Sequence, residues 1–148
     1  MAFIQALQIA HFRNYAEAAL ADLPAGPVVL CGANGAGKTN ILEAISFLSP
    51  GRGLRTAKIS EVQRRDSGMA SPWSVSALVE SAYGPVRIGT GRDGVEDKRL
   101  VRINGEAAKG GQALMTEYLS VLWLTPQMDR LFLDASAARR KFLDRMVF

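Results

Sequence analysis

The chain carries one cysteine and one histidine in 148 residues. A lone Cys31 excludes an internal disulfide; set in an apolar run, it is expected to be a small buried hydrophobe in a reducing compartment. His11, without a second histidine or a cysteine to work with, is expected to be structural rather than catalytic. No long apolar run is present: the opening "MAFIQALQIAHFRN" has no basic leader and is interrupted by Gln5 and Gln8, so neither secretion nor membrane spanning is expected, and the protein reads as cytoplasmic. Internal repeats and low-complexity segments are absent as well. Basic residues are scarce at first, with only Arg13 and Lys38 before residue 52. They then cluster at Arg52, Arg55, Lys58, Arg64 and Arg65, and again at Arg139, Arg140, Lys141 and Arg145. A net charge of +4 tolerates a polyanionic partner without establishing one.

With 48% apolar residues the chain can fill the core of one domain. Phe3, Ile4, Leu7 and Ile9 predict an opening strand, and Val28 to Cys31 a short, fully buried one. Thr39 to Leu48 predicts a helix stopped by "SPGRG". Between Trp73 and Ile103 the β-branched, alternating segments "WSVSALVE", "GPVRIGTG" and "KRLVRINGE" predict antiparallel strands, with a tight turn at Asn104-Gly105. A helix near Gln112 to Tyr118, a buried strand in "SVLWLT" and an amphipathic helix from Asp134 onward complete the reading; the last has Ala138, Phe142, Leu143 and Met146 as apolar positions. After "DRMVF" no glycine, proline or polar tail follows, as expected of a chain cut inside an element.

"GANGAGKT", Gly32 to Thr39, satisfies G-x-x-x-x-G-K-[ST], with an apolar run before it and an apolar helix after. Gly32, Gly35 and Gly37 permit backbone angles that turn successive N–H groups inward, so the loop from Gly32 through Ala33, Asn34, Gly35, Ala36 and Gly37 can cradle phosphate oxygens. The positive end of the following helix adds to that field, where Asn40 stands in the first turn. Lys38 would reach the outer phosphates as a compact cation, and the Thr39 hydroxyl would ligate Mg²⁺ bridging two of them. "GTGRDG", Gly89 to Gly94, formally fits a dinucleotide fingerprint, but charged "VEDKR" follows where an apolar helix should start, so a hairpin turn is expected. Hydrolysis also needs a carboxylate on the metal and a group to position water. None of the 14 acidic residues ends an apolar strand as Asp-Glu, and no N-K-x-D guanine-reading motif occurs.

Taken in order, "HFRNY", "GANGAGKTNILEAI", "GRGLRT", "VRINGE", "LTPQMDRLF" and "SAARRKFLDR" resemble the RecF family of bacterial recombination mediators over essentially the whole chain. RecF proteins are ABC-type ATPases related to SMC heads. The resemblance implies an α/β fold: a P-loop core with a mixed sheet from about residues 1–60 and 110–148, and an inserted antiparallel arm at about 70–106. It implies an amino-terminal part only, since the signature motif, the Walker B carboxylates and the helical lobe lie further along in that family. "KGGQ", Lys109 to Gln112, has lysine in place of the signature serine and reads as a loop. The resemblance further implies ATP with Mg²⁺ and DNA, single-stranded or gapped duplex, as ligands. RecO and RecR would be partners, an ATP-dependent homodimer would form in the full-length protein, and the full-length ATPase would be slow and DNA-dependent. It places Arg13 and Asn14 near the nucleotide and Gln127 near the metal.

Three functions stay open: a repair ATPase part that binds ATP weakly without turnover and assists recombinase loading and the SOS response; a small self-contained P-loop kinase acting on a metabolite; and a DNA-binding module with a vestigial loop. "ARRKFLDR" reads as a DNA-binding helix, a solvated face or an interdomain strut. "GRGLRTAK", with glycines and cations interleaved and no carboxylate before Glu61, is the better phosphate-tracking loop.

Overall fold

The structure, a computed structural model, describes residues 2–65, 71–94, 98–126, 128 and 136–147. Period-two alternation builds its principal element, a sheet of β1 (Phe3–Phe12), β2 (Tyr15–Leu20), β3 (Ser74–Ser81), β4 (Gly84–Arg92), β5 (Arg99–Ile103) and β6 (Glu106–Ala107). The strands lie in the order β2-β1-β3-β4-β5-β6, and each neighbour runs antiparallel. The antiparallel arm expected between Trp73 and Ile103 is therefore continuous with β1, against which β3 pairs from Phe3↔Glu80 to Ala10↔Ser74 with one irregularity between Ile4 and Ala6. "GTGRDG" closes a hairpin as expected, the Asp93 N–H donating to the Lys98 carbonyl at 2.9 Å.

One face of the sheet carries Leu7, Ile9, Val75, Ala77, Val79, Val86, Ile88 and Val101, all buried. Helix α1 (Lys38–Ser46) covers it with Ala44 and the following Phe47 and Leu48. Phe12, Phe47 and Trp73 meet edge to face with ring centroids 5.3 to 5.9 Å apart, which ties the end of α1 to β1 and to the residue that opens β3. The Trp73 indole donates to the Ile59 carbonyl at 2.9 Å, so the ring is buried with its one polar atom satisfied. The helix expected near Gln112 to Tyr118 forms as a 3-10 turn, Gly111–Glu117, and α2 spans Ser136–Val147 with Leu143 and Met146 exposed.

Arg99 fastens β5 to the end of α1. Its Nε donates to Thr90, Nη1 to the Gly51 carbonyl and Gln112, and Nη2 to the carbonyls of Phe47 and Ser49, while the guanidinium carbon lies 5.2 Å from the Phe47 ring centre. Burial lowers its pKa to about 10, so it remains a cation at neutral pH, placed against the negative end of a helix.

Two expected buried strands are not formed. Val28 to Cys31 and Ser120 to Thr125 take part in no ladder; Val29 is 79% exposed, Leu124 is 73% exposed, and Cys31 is exposed rather than buried. A strand buried on both faces needs hydrogen-bonding neighbours as well as apolar side chains. Neither run joins a ladder among the described residues; both line an open apolar cavity of about 320 Å³ with Ile4, Leu23 and Ile41.

Candidate functional site

The glycine loop leads into the amino terminus of α1, which begins at Lys38. Gly37 caps the helix at φ 98°, a left-handed angle, and Gly35 has φ 83°. Loop contacts are few: the Ala36 N–H donates to the Ala33 carbonyl at 3.2 Å. The amides of Gly35, Gly37, Lys38 and Thr39 have no protein acceptor among the described residues. They are the donors that a helix start leaves free, and no acidic residue stands in the first turn to compete for them. The Lys38 ammonium bends back over the loop and donates to the carbonyls of Gly32 and Ala33 at 2.6 and 2.7 Å. Four amides without a protein acceptor, a helix start and one ammonium thus belong to one short segment, a set of groups suited to an anion. With Thr39 beside them in the first turn, these groups fit a Mg²⁺-bound polyphosphate.

The β1–β2 hairpin braces this loop. Its two-residue turn is Arg13-Asn14, and Arg13 takes φ 54°, where most side chains are strained. A β-carbon on Gly37 would stand 2.6 Å from the Tyr15 hydroxyl and 2.7 Å from the Asn14 amide, so the hairpin sits directly against the helix cap. Asn40 donates to Asn14 Oδ1 at 2.7 Å, and Arg64 holds the Asn14 carbonyl at 2.6 Å.

Arg13, expected beside the nucleotide, has its guanidinium forked onto Glu43, at 2.9 Å from Nε and 2.7 Å from Nη2, with Nη1 on the Glu61 carbonyl. Arg55 completes the cluster, donating to Glu43 Oε2 at 2.6 Å and to Asn40 Oδ1 at 2.8 Å. Sequence reasoning missed Glu43, whose side chain is fully buried between two cations. The signal was present: one carboxylate within the apolar helix "NILEAI" calls for buried partners. Arg55, read with "GRGLRTAK" as tracking phosphate, is exposed and is already engaged by Glu43 and Asn40. Gln127 lies outside the described residues. Among the described residues no cluster of His, Cys, Asp or Glu is arranged to hold a metal, which leaves Thr39 as the metal-ligand candidate among them.

A glycine loop at a helix start, beside an antiparallel sheet, is the α/β fold of a P-loop head of the ABC type. The family model described as the RecF/RecN/SMC N terminal domain matches residues 3–118, and the chain belongs to that family. It is 53% identical over 147 residues to the DNA replication and repair protein RecF of Rhizobium meliloti (strain 1021), covering 98% of this chain and 38% of that protein. The structure of the recombination mediator protein RecF-ATP in the RecFOR pathway matches 97% of this chain and 37% of its own, at 29% identity and a TM-score of 0.80. The SMC head domain from Thermotoga maritima shares the fold, with a TM-score of 0.57 at 15% identity over 89% of this chain and 51% of that one. The chain thus spans 38% of the length of the curated relatives it matches. No helix among the described residues is long and apolar enough to cross a membrane.

Proposed function

We propose that this chain is the nucleotide-binding portion of a DNA repair ATPase, which binds ATP with Mg²⁺ at residues 32–40 and acts on single-stranded or gapped DNA. The observation that carries the reading is that the amides of Gly35, Gly37, Lys38 and Thr39 have no protein acceptor among the described residues, while the Lys38 ammonium lies against the carbonyls of the same loop. The relative solved as RecF-ATP supports ATP as the nucleotide, and the RecFOR pathway of that protein supports RecO and RecR as partners. Mg²⁺ would be held by Thr39, supplying the charge that neutralises two phosphates at once.

In the complete protein the nucleotide would join two copies into a timed clamp on DNA, with recombinase loading at gaps and the SOS response as its outcome. The 148 residues themselves bind Mg-ATP weakly, turn it over negligibly because no Asp-Glu pair ends an apolar strand to hold the metal, and form no ATP-driven dimer because they hold no signature loop to give to a second copy's nucleotide. Titration of Mg-ATP against the wild-type chain and Lys38→Ala tests the first half; equal affinity in the two defeats it. Titration with single-stranded and gapped DNA, with and without nucleotide, tests the second. Phosphate transfer from ATP to a small molecule without DNA would make the chain a kinase instead.

A further inference from the structure

The face of the sheet turned away from α1 is paved with small residues. Across the strands the register aligns Ala19, Gln8, Ser76, Gly89 and Arg102, and beside them Glu17, Ala10, Ser74, Gly91 and Leu100. Solvated faces of antiparallel sheets ordinarily carry longer side chains, and glycine in a strand interior weakens it. Gly91 is demanded by the fold, since a β-carbon there would lie 2.7 Å from the Trp73 carbonyl oxygen. Gly89 is not: its β-carbon would meet only Arg102 atoms at 3.9 Å. The absence of side chains opens an apolar trough of about 310 Å³ over Ser74, Ser76, Gly89 and Gly91, with Leu100 on one wall and Arg87 and Arg102 at its rim.

Arg87 and Arg102 are exposed diagonal neighbours on β4 and β5, and neither has an ion pair or a side-chain hydrogen bond among the described residues. Among the described strand residues the carboxylates of this face stand elsewhere: Glu80 accepts from Gln5, and Glu17 lies at the opposite end, on β2. We propose that this trough docks an acidic, extended segment of a partner protein, with an apolar side chain over Gly89 and carboxylates on Arg87 and Arg102. The apolar floor decides against a nucleic acid strand. The arginines at the rim would pair phosphate as readily as carboxylate, but the floor suits an apolar side chain, and the one aromatic residue of the lining, Trp73, is fully buried and offers no ring for a base to stack on.

The test is fluorescence anisotropy of a short labelled peptide, a central leucine flanked on both sides by aspartates, against the whole chain, Gly89→Val and the double variant Arg87→Glu/Arg102→Glu. Valine suits a strand, so Gly89→Val fills the trough while keeping the melting temperature and the Mg-ATP affinity of the wild type. Binding to the wild-type chain, weakened at least about tenfold by each variant and absent for the lysine counterpart of the peptide, is the expected result. No binding, binding unaffected by Gly89→Val, or displacement by a single-stranded oligonucleotide that itself needs Arg87 and Arg102 would overturn the proposal. Nucleotide binding at the glycine loop is measured separately, so failure of either idea leaves the other intact.

Discussion

At Lys38 and Glu43 the same helix carries two opposite uses of charge. The Lys38 ammonium is held by the carbonyls of Gly32 and Ala33, which a polyphosphate would replace in the proposed complex. Hydrogen bonds to charged groups are worth about 1.5–3 kcal/mol, so Lys38→Ala is expected to weaken Mg-ATP binding by about 10- to 100-fold in a calorimetric titration, with the far-UV spectrum unchanged. Glu43 points inward and has no route to a ligand. Glu43→Gln leaves two guanidinium groups without a counter-charge, and the cost for a deeply buried pair is about 3–5 kcal/mol. Because Arg55 is 41% exposed and can return to water, the loss should be nearer 2–4 kcal/mol, read as a midpoint shift in urea unfolding. An unchanged midpoint would mean that the cluster contributes nothing to the brace on the hairpin. Lys38 was legible because its spacing from three glycines is a chemical pattern. The link from Arg13 through Glu43 to Arg55 was not, because it joins residues far apart in sequence whose meeting depends on how the hairpin closes.

Among the elements, the antiparallel strands were the most legible, since alternation of side chains reports a sheet with one buried face. Their partner was less so: pairing of β3 with β1 joins segments about seventy residues apart, and nothing local specifies it. Val28 to Cys31 and Ser120 to Thr125 show the opposite limit, because apolar content predicts burial only where neighbouring strands supply the ladder. The hairpin and helix cap form one unit through Gly37, which gives a sharp expectation. Gly37→Ala would place a methyl group 2.6 Å from the Tyr15 hydroxyl at a left-handed backbone angle, so the β1–β2 turn must move and the loop with it. Nucleotide affinity should fall with a modest loss of stability of about 1–2 kcal/mol. Retention of full affinity would separate the hairpin from the site. Trp73→Ala, by contrast, should cost about 3–5 kcal/mol in thermal or urea unfolding by opening a cavity among Phe12 and Phe47.

At the scale of the whole molecule, the described residues form a sheet with helix α1 packed on its inner face, a glycine loop at the start of that helix and a bare trough on the outer face. The antiparallel strands and the loop were readable from the sequence because both rest on short-range rules of periodicity and turn chemistry, whereas the fold class came with the family resemblance. The buried braces and the trough were not, since they arise only when distant strands come into register. The central claim is that the loop amides themselves receive the nucleotide. Its most direct test is a ¹⁵N–¹H correlation spectrum of the labelled chain titrated with Mg-ATP. The amide signals of Gly35, Gly37, Lys38 and Thr39 should move together and saturate at one affinity, and Lys38→Ala should shift that titration to about 10- to 100-fold higher nucleotide. Shifts gathered on another surface, or none at these four amides in excess nucleotide, would contradict the account.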